Sequence, residues 1–128
     1  MSKRITVYGS LLEGLGNHSI ISDEREVTKL GEHVLEGKFK MISLGGFPGL
    51  INDESVNNKI FVETYEVSDS VFARVERLEG YPGFYDRTPV ETPYGPSEVY
   101  TLARGGYSNN LVPEDEDGVI NWKKYRGR

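Results

Sequence analysis

The spacing of hydrophobic residues changes near residue 68, and this change predicts one main helix among strands. Residues 59–67 are dominated by apolar, β-branched and aromatic side chains, which is typical of a central strand. After them the apolar residues recur at the spacing of one helix face: Val71, Phe72, Val75 and Leu78. This spacing predicts a helix over residues 68–78. Ser68 or Asp69 is expected to cap its start, and Gly80 to close its end.

Other strands are predicted from segments that are rich in apolar, β-branched or aromatic residues: residues 5–8, 34–43, 85–92 and 98–104. Gly37 interrupts the second of these segments, which predicts a bulge there. The last two are joined by Pro93-Tyr94-Gly95-Pro96, a sequence typical of a hairpin turn. Residues 45–49 contain three glycines and a proline and are predicted to be a loop, and residues 121–125 a last short turn.

These elements predict an α+β fold for the 128-residue chain. The fold is expected to be mainly β, with a curved or barrel-like mixed sheet and one well-formed helix, because no helices alternate with the strands as in a parallel sheet. The sequence contains no repeat and no low-complexity block, so we expect a single domain over residues 1–128. A domain of this length buries roughly two-thirds of the surface that its unfolded chain exposes.

Composition and charge narrow the classes of function. The formal net charge of −5 works against a broad nucleic-acid surface, which needs clustered Lys and Arg, and favours small-molecule or protein ligands. The absence of cysteine excludes disulfides and thiolate sites and agrees with a reducing compartment, so we expect a cytoplasmic protein. No stretch approaches the roughly 20 apolar residues of a membrane span. The charged start, Met1-Ser2-Lys3-Arg4, lacks the apolar core of a signal peptide.

Two segments carry candidate chemistry. Glu79 directly precedes Gly80 at the predicted helix end, so it is either a solvated last-turn glutamate or a carboxylate held inward by a rigid element. At that position the helix dipole opposes its negative charge and is expected to raise its pKa, which suits a general base. Elsewhere, Tyr8-Gly9-Ser10-Leu11 leaves a strand through a glycine that lets a ligand approach the backbone amides. An ordinary strand exit is the alternative for this segment.

Several other kinds of site are not supported by the sequence. The glycines after the first strand do not form a dinucleotide fingerprint, and no phosphate-binding GK[ST] follows them. No GxSxG elbow is present, and neither histidine has another at metal-ligand spacing. The acidic residues 114–117 lack the spacing of a calcium loop. The basic and aromatic residues 122–126 are either a nucleic-acid contact or, as we favour, a tail that packs Trp122 and Tyr125 on the domain.

Four motifs spread over most of the chain carry a family resemblance. They are Val7-Tyr8-Gly9-Ser10-Leu11 with Asn17-His18 downstream, Gly45-Gly46-Phe47-Pro48-Gly49-Leu50, Leu78-Glu79-Gly80-Tyr81-Pro82 followed by Tyr85 and Arg87, and Ile120-Asn121-Trp122. In this order they resemble the gamma-glutamylcyclotransferase-like family, and most of all its small gamma-glutamylamine cyclotransferase branch. The chain departs from the family pattern at Val75-Glu76, where members often have Leu-Asp, and at Asn121, which replaces an aspartate.

The resemblance implies an enzyme that uses no cofactor and no metal. In this family the substrate's own α-amine attacks its γ-glutamyl carbonyl, which closes the ring of 5-oxoproline and releases an amine or amino acid. By this resemblance Glu79 is the catalytic base. The oxyanion and the glutamyl carboxylate are expected to be held by backbone amides, those of Gly9, Ser10 and Leu11.

The remaining residues of these motifs receive looser assignments. Tyr8 and Tyr85 are expected to shape the pocket, with Tyr85 hydrogen-bonded to the substrate or to Glu79. Arg87 either contacts the ligand or anchors its strand by pairing with a carboxylate. The expected partner is a small γ-glutamyl compound, with no nucleic acid or membrane. The alternative function is a non-catalytic module that binds a small anionic metabolite as a sensor or scavenger, because a pocket does not guarantee turnover.

Overall fold

One mixed sheet forms most of the computed structural model, which describes residues 2–103 and 110–126. Its strands are β1 (Ser2–Val7), β2 (Val27–Gly37), β3 (Phe39–Ser43), β4 (Pro48–Asn52), β5 (Asn58–Ser68), β6 (Tyr85–Thr92), β7 (Gly95–Leu102) and β8 (Val119–Ile120). The described helices are α1 (Asp69–Glu79), α2 (Trp122–Arg126) and a 3-10 turn at His18–Ile21. None of these helices is long and apolar enough to cross a membrane.

The order of the strands brings β1 into the middle of the sheet. The order is β2-β5-β1-β7-β4-β3, with β6 beside β7 and β8 beside β5. β1 is antiparallel to β5 and parallel to β7, so the sheet is mixed. It curls into a half-barrel with one main helix. The predicted α+β, mainly β fold is therefore confirmed.

Side chains of the strands alternate between two hydrophobic clusters, as the pleat of a strand requires. In β1, Ile5 and Val7 belong to the cluster that also contains Val71 of α1. Tyr8, which follows β1, belongs to the second cluster, which contains Trp122. The end of β1 is therefore fixed from both sides of the sheet.

The main helix has the boundaries that its sequence signals indicate. The hydroxyl oxygen of Ser68 accepts a hydrogen bond from the backbone N–H of Val71 at 3.2 Å, which confirms Ser68 as the N-cap. Gly80 has φ of 64° and closes the other end, a left-handed conformation that favours glycine. The helix includes Glu79, one residue beyond the predicted end.

The predicted loop at residues 45–49 is wrong at its second end. β4 already begins at Pro48, which pairs with Ser43 of β3. The backbone N–H of Leu44 donates to the carbonyl of Phe47 at 2.8 Å and closes a short turn. Strand pairing therefore resumes two residues earlier than the glycines and proline indicate.

The predicted strand at residues 34–43 is two strands, β2 and β3. β2 begins at Val27 and pairs with β5 up to Gly37. The strand therefore ends at Gly37, and the predicted bulge there is wrong. The register shift lies between Lys29 and Gly31 instead. β2 is an edge strand with many exposed positions, so its first half lacks the hydrophobic pattern of a buried strand.

The hairpin turn between β6 and β7 is tighter than predicted. The backbone N–H of Tyr94 donates to the hydroxyl of Thr92 at 3.0 Å, and that hydroxyl donates to the carbonyl of Gly95 at 2.7 Å. β7 therefore begins at Gly95, three residues before the expected start at Glu98. The expected end of this strand, Arg104, lies outside the described residues.

The C-terminal basic and aromatic segment packs on the sheet. The predicted turn is the short helix α2, and Trp122 within it is 1% exposed. The Trp122 ring stacks on Tyr125 with centroids 5.5 Å apart. The interpretation of this segment as a packed tail is confirmed.

We predict that Ser68→Ala lowers the free energy of unfolding by about 1 kcal/mol, because it removes the N-cap acceptor of α1. Urea denaturation followed by circular dichroism measures this loss. Ser70→Ala, on the exposed side of the same first turn, is the matched control and should cost less than about 0.5 kcal/mol. Equal losses in the two variants would contradict the capping role.

Candidate active site

A cavity of about 500 Å³ opens where three elements meet. Its walls come from the exit of β1, the start of β4 and the C-terminal end of α1. The residues that the sequence analysis assigned to the site all line it: Tyr8, Gly9, Ser10, Leu11, Glu79 and Tyr85. The lining also includes residues that had no assigned role, among them Asn17, Phe47, Pro48, Leu78, Phe84 and Tyr100.

Glu79 presents the carboxylate of this cavity from the last residue of α1. Burial raises its pKa to about 7, and the negative charge of Glu76, one helical turn earlier, adds to the rise. The predicted direction is confirmed, but the main cause is burial and not the helix dipole. Within residues 2–103 and 110–126, no side chain or backbone amide donates a hydrogen bond to this carboxylate.

Glu76 is held in a different environment from Glu79. Its Oε2 accepts a hydrogen bond from the hydroxyl of Tyr100 at 2.6 Å, and its Oε1 lies 3.6 Å from Nη1 of Arg87. Arg87 also donates to the hydroxyl of Tyr81 at 2.8 Å and lies over its ring. Arg87 is not among the cavity-lining residues. Of its two possible roles, the structure therefore supports the anchoring ion pair.

The loop after β1 offers backbone donors to the cavity. The N–H of Leu12 bonds to the carbonyl of Gly9 at 2.9 Å and closes a tight turn. The amides of Gly9, Ser10 and Leu11 find no acceptor among the described residues. Gly9 is also pressed against the start of β4, because a Cβ there would lie 2.7 Å from Cγ of Pro48. This segment is thus more than an ordinary strand exit.

Asn17 and His18 hold this loop from behind. The side-chain amide of Asn17 donates to the hydroxyl of Ser10 at 3.0 Å, and its backbone N–H donates to the Ser10 carbonyl at 3.0 Å. Nδ1 of His18 lies 2.9 Å from the carbonyl oxygen of Leu11. These bonds use the carbonyl oxygens of Ser10 and Leu11, and the amide N–H groups of the loop stay available as donors.

The hydroxyl groups of Tyr8 and Tyr85 both donate hydrogen bonds to backbone carbonyls. The hydroxyl of Tyr8 donates to the carbonyl of Tyr100 at 2.7 Å and accepts from the N–H of Leu50 at 3.1 Å. The hydroxyl of Tyr85 donates to the carbonyl of Pro48 at 2.6 Å. Tyr85 was expected to hydrogen-bond the substrate or Glu79; a bond donated to Glu79 is wrong, because a hydroxyl has one proton to donate, and the contact with substrate stays a prediction. Burial raises the pKa of both tyrosines, so both stay neutral.

A buried carboxylate that the sequence analysis missed supports the same loop. Glu63 on β5 is 1% exposed, and its Oε1 accepts from the N–H of Glu13 at 2.9 Å and from the hydroxyl of Tyr65 at 2.8 Å. Its Oε2 lies 4.0 Å from Nζ of Lys29. Glu13 is 50 positions away in sequence, so no local sequence pattern predicts this contact. Asn17, Phe47 and Pro48, in contrast, stand inside the motifs that carried the family resemblance.

In the described ranges, no group of three or more His, Asp or Glu side chains is arranged so that it could hold a metal ion. Residues 5–123 match the model of the family described as gamma-glutamyl cyclotransferase, AIG2-like. This chain belongs to that family. The match confirms the predicted family and, with it, the prediction of an enzyme.

Relatives and solved structures agree with the family assignment. A Bos taurus protein named gamma-glutamylaminecyclotransferase is 31% identical over 110 residues, which are 77% of this chain and 65% of the relative. A Niallia circulans protein named gamma-L-glutamyl-butirosin B gamma-glutamyl cyclotransferase is 29% identical over 126 residues, 94% of this chain and 75% of the relative. The crystal structure of an AIG2-like protein from Mus musculus superposes with a TM-score of 0.71 at 23% identity, covering 94% and 95% of the two chains. The family member described here therefore shares its fold with a mammalian one.

We predict that Glu63→Ala destabilises this family member by about 1–3 kcal/mol, because the N–H of Glu13 and the hydroxyl of Tyr65 lose their buried acceptor. Urea denaturation measures the loss. Glu63→Gln is the matched control: it keeps an oxygen at the same place and should cost clearly less. If the two variants lose the same stability, the hydrogen bonds to Glu63 do not support the loop.

Proposed function

We propose that this chain is a gamma-glutamyl cyclotransferase that converts a γ-glutamyl amine or γ-glutamyl amino acid to 5-oxoproline and a free amine. The observation that carries the proposal is that Glu79, the one carboxylate among the described residues that line the cavity, has a pKa raised to about 7 and shares the cavity with a loop of available amides. Family membership supports the same reaction type. We further propose a cytoplasmic location, with which the absence of cysteine agrees.

The proposed reaction begins with the substrate's α-ammonium group. Glu79 as a carboxylate takes one of its protons, and the resulting amine attacks the γ-carbonyl carbon to form a five-membered ring. The ring nitrogen then loses a second proton, the C–N bond to the leaving group breaks, and the leaving nitrogen receives the proton held by Glu79. One proton passes to solvent, so the step balances. A base with a pKa near neutrality suits both the uptake and the return of a proton.

The chain's other contribution is to position the substrate. We assign the glutamyl carboxylate and the developing oxyanion to the amides of Gly9, Ser10 and Leu11, which are preorganised donors. Tyr8 and Tyr85 form rigid walls, since their hydroxyls are bonded to the backbone. The nucleophile belongs to the substrate itself, and well-oriented intramolecular attack is worth effective molarities of about 10⁵ M or more. This chemistry requires no cofactor and no covalent enzyme intermediate.

The electrostatics of the cavity argue against the alternative of a capture site for an anionic metabolite. Glu79 is partly buried, and its ionised form repels a ligand that carries only negative charge, whereas the α-ammonium group of a γ-glutamyl substrate offsets the charge of the glutamyl carboxylate. A base must sit there for catalysis, whereas a sensor or scavenger gains nothing from it. The enzyme is therefore the function that the described geometry supports best.

We predict that Glu79→Gln lowers kcat by roughly 10²- to 10⁴-fold, the usual worth of general acid–base catalysis. The amide has the same shape but no basicity, so the fold should be retained. Mass-spectrometric detection of 5-oxoproline from a panel of γ-glutamyl compounds measures the effect, and circular dichroism monitors folding. Glu91→Gln, an exposed glutamate on β6, is the control. Full activity of folded Glu79→Gln protein would remove Glu79 from the mechanism.

We also predict an acid limb in the pH dependence of kcat/KM, with a midpoint at about pH 7. The carboxylate is the active form, so activity should fall about tenfold per pH unit below the pKa and level off above it. Glu76→Gln removes a neighbouring negative charge, which should lower the pKa of Glu79 and move the limb to lower pH. A limb near the ordinary carboxyl range, or one that moves upward in this variant, would contradict the assignment.

A further inference from the structure

The mouth of the cavity is apolar. Three of the five exposed large hydrophobic side chains in the described part of the chain line it: Phe47, Leu78 and Phe84, which are 39%, 39% and 43% exposed. The other two, Val34 and Leu111, lie outside the lining. Apolar side chains that gather at one opening, while their backbones are held in place, indicate a surface meant to be covered.

The rings of Phe47 and Phe84 contact each other at this opening. Their ring centroids are 6.2 Å apart. The Phe84 ring meets Tyr85 edge-on at 4.9 Å, and its backbone bonds to Gly80 and to Ala103 at 3.1 and 3.0 Å. Phe47 stands on the short turn that its own carbonyl closes with Leu44. A flat or branched apolar group can therefore be contacted by both rings.

The charge of the lining points in the same direction. Among the described lining residues, Glu79 is the one that titrates near neutrality, and no Lys, Arg or His is included. A leaving group with a carboxylate would place a second anion near Glu79, with no described cation to pair with it. An uncharged leaving group avoids that repulsion and gains the burial of apolar surface.

We propose that the leaving group of the substrate is an apolar amine without a carboxylate, aromatic or branched, which packs against the contacting rings of Phe47 and Phe84. The inference rests on the proposed function and narrows it from γ-glutamyl compounds in general to uncharged γ-glutamyl amides. The glutamyl part then lies toward the amides after β1, and its γ-carbonyl lies near Glu79. The amine substituent extends outward along Leu78 to the two rings.

A matched set of substrates tests the proposal. γ-Glutamyl-phenethylamide and γ-glutamyl-phenylalanine differ by one carboxylate, and γ-glutamyl-phenethylamide and γ-glutamyl-ethylamide differ by one phenyl ring. We expect kcat/KM for the phenethylamide to exceed each of the other two at least tenfold, the scale on which an apolar pocket discriminates. Equal or better turnover of the phenylalanine compound, the ethylamide or a cationic γ-glutamyl-(5-aminopentyl)amide would overturn the proposal.

Variants of the two rings test whether they set this preference. Phe47→Ala, and Phe84→Leu as the milder change at the better-packed ring, should reduce the ratio of kcat/KM for phenethylamide over ethylamide by at least fivefold. Leu111→Ala, at an exposed apolar side chain outside the cavity, should leave that ratio as it is. An unchanged ratio in both phenylalanine variants would assign the preference elsewhere and overturn the proposed contact.

The outcomes separate this inference from the proposed function. If every compound yields 5-oxoproline but kcat/KM is not highest for the phenethylamide, the proposed enzyme activity is supported and the apolar leaving group is contradicted. If none yields 5-oxoproline, including the small ethylamide, the proposed function fails and this inference fails with it. If phenethylamide is preferred and the ratio falls in the ring variants, both stand.

Discussion

The antiparallel pairing of β1 with β5 is the constraint on which the site depends. In this register Ser2 faces Ser68 and Val7 faces Glu63, so α1 starts beside the beginning of β1. An 11-residue helix is about 16 Å long and a six-residue strand about 20 Å. A helix that runs back along β1 therefore ends near the strand's exit. Glu79 and the loop that begins with Tyr8 meet for this reason, although 70 residues separate them in the sequence.

Two carboxylates one helical turn apart are given different properties by what surrounds them. Glu76 has a hydroxyl donor and a guanidinium beside it. Glu79 is partly buried, has no donor among the described residues, and receives the negative field of Glu76, so its pKa is raised. The ion pair with Arg87 thus helps to fix a negative charge where it raises the pKa of Glu79. A carboxyl group whose surroundings raise its pKa toward neutrality is typical of acid–base sites.

The sequence predicted the parts that depend on local patterns. The helical spacing from Val71 to Leu78, the serine cap and the glycine stop gave α1 nearly to the residue, and the motifs brought all six assigned residues to one cavity. Contacts between segments that are far apart in the chain could not be predicted from local sequence patterns. The proton of Tyr85 goes to Pro48, 37 positions earlier, and the burial of Glu63 depends on the backbone of Glu13. The polar edge strand β2 was missed in its first half because half-exposed pairing leaves a weak hydrophobic pattern.

Nuclear magnetic resonance can show, without any substrate, whether the fold makes Glu79 a base that titrates near neutrality. Protein labelled with ¹³C at the glutamate side-chain carboxyl is titrated, and the signal of Glu79 is assigned by its loss in the Glu79→Gln variant. We expect a pKa of about 7 for the Glu79 carboxyl, because of its burial and the negative charge of Glu76. A midpoint near the ordinary value of 4.5 would contradict it.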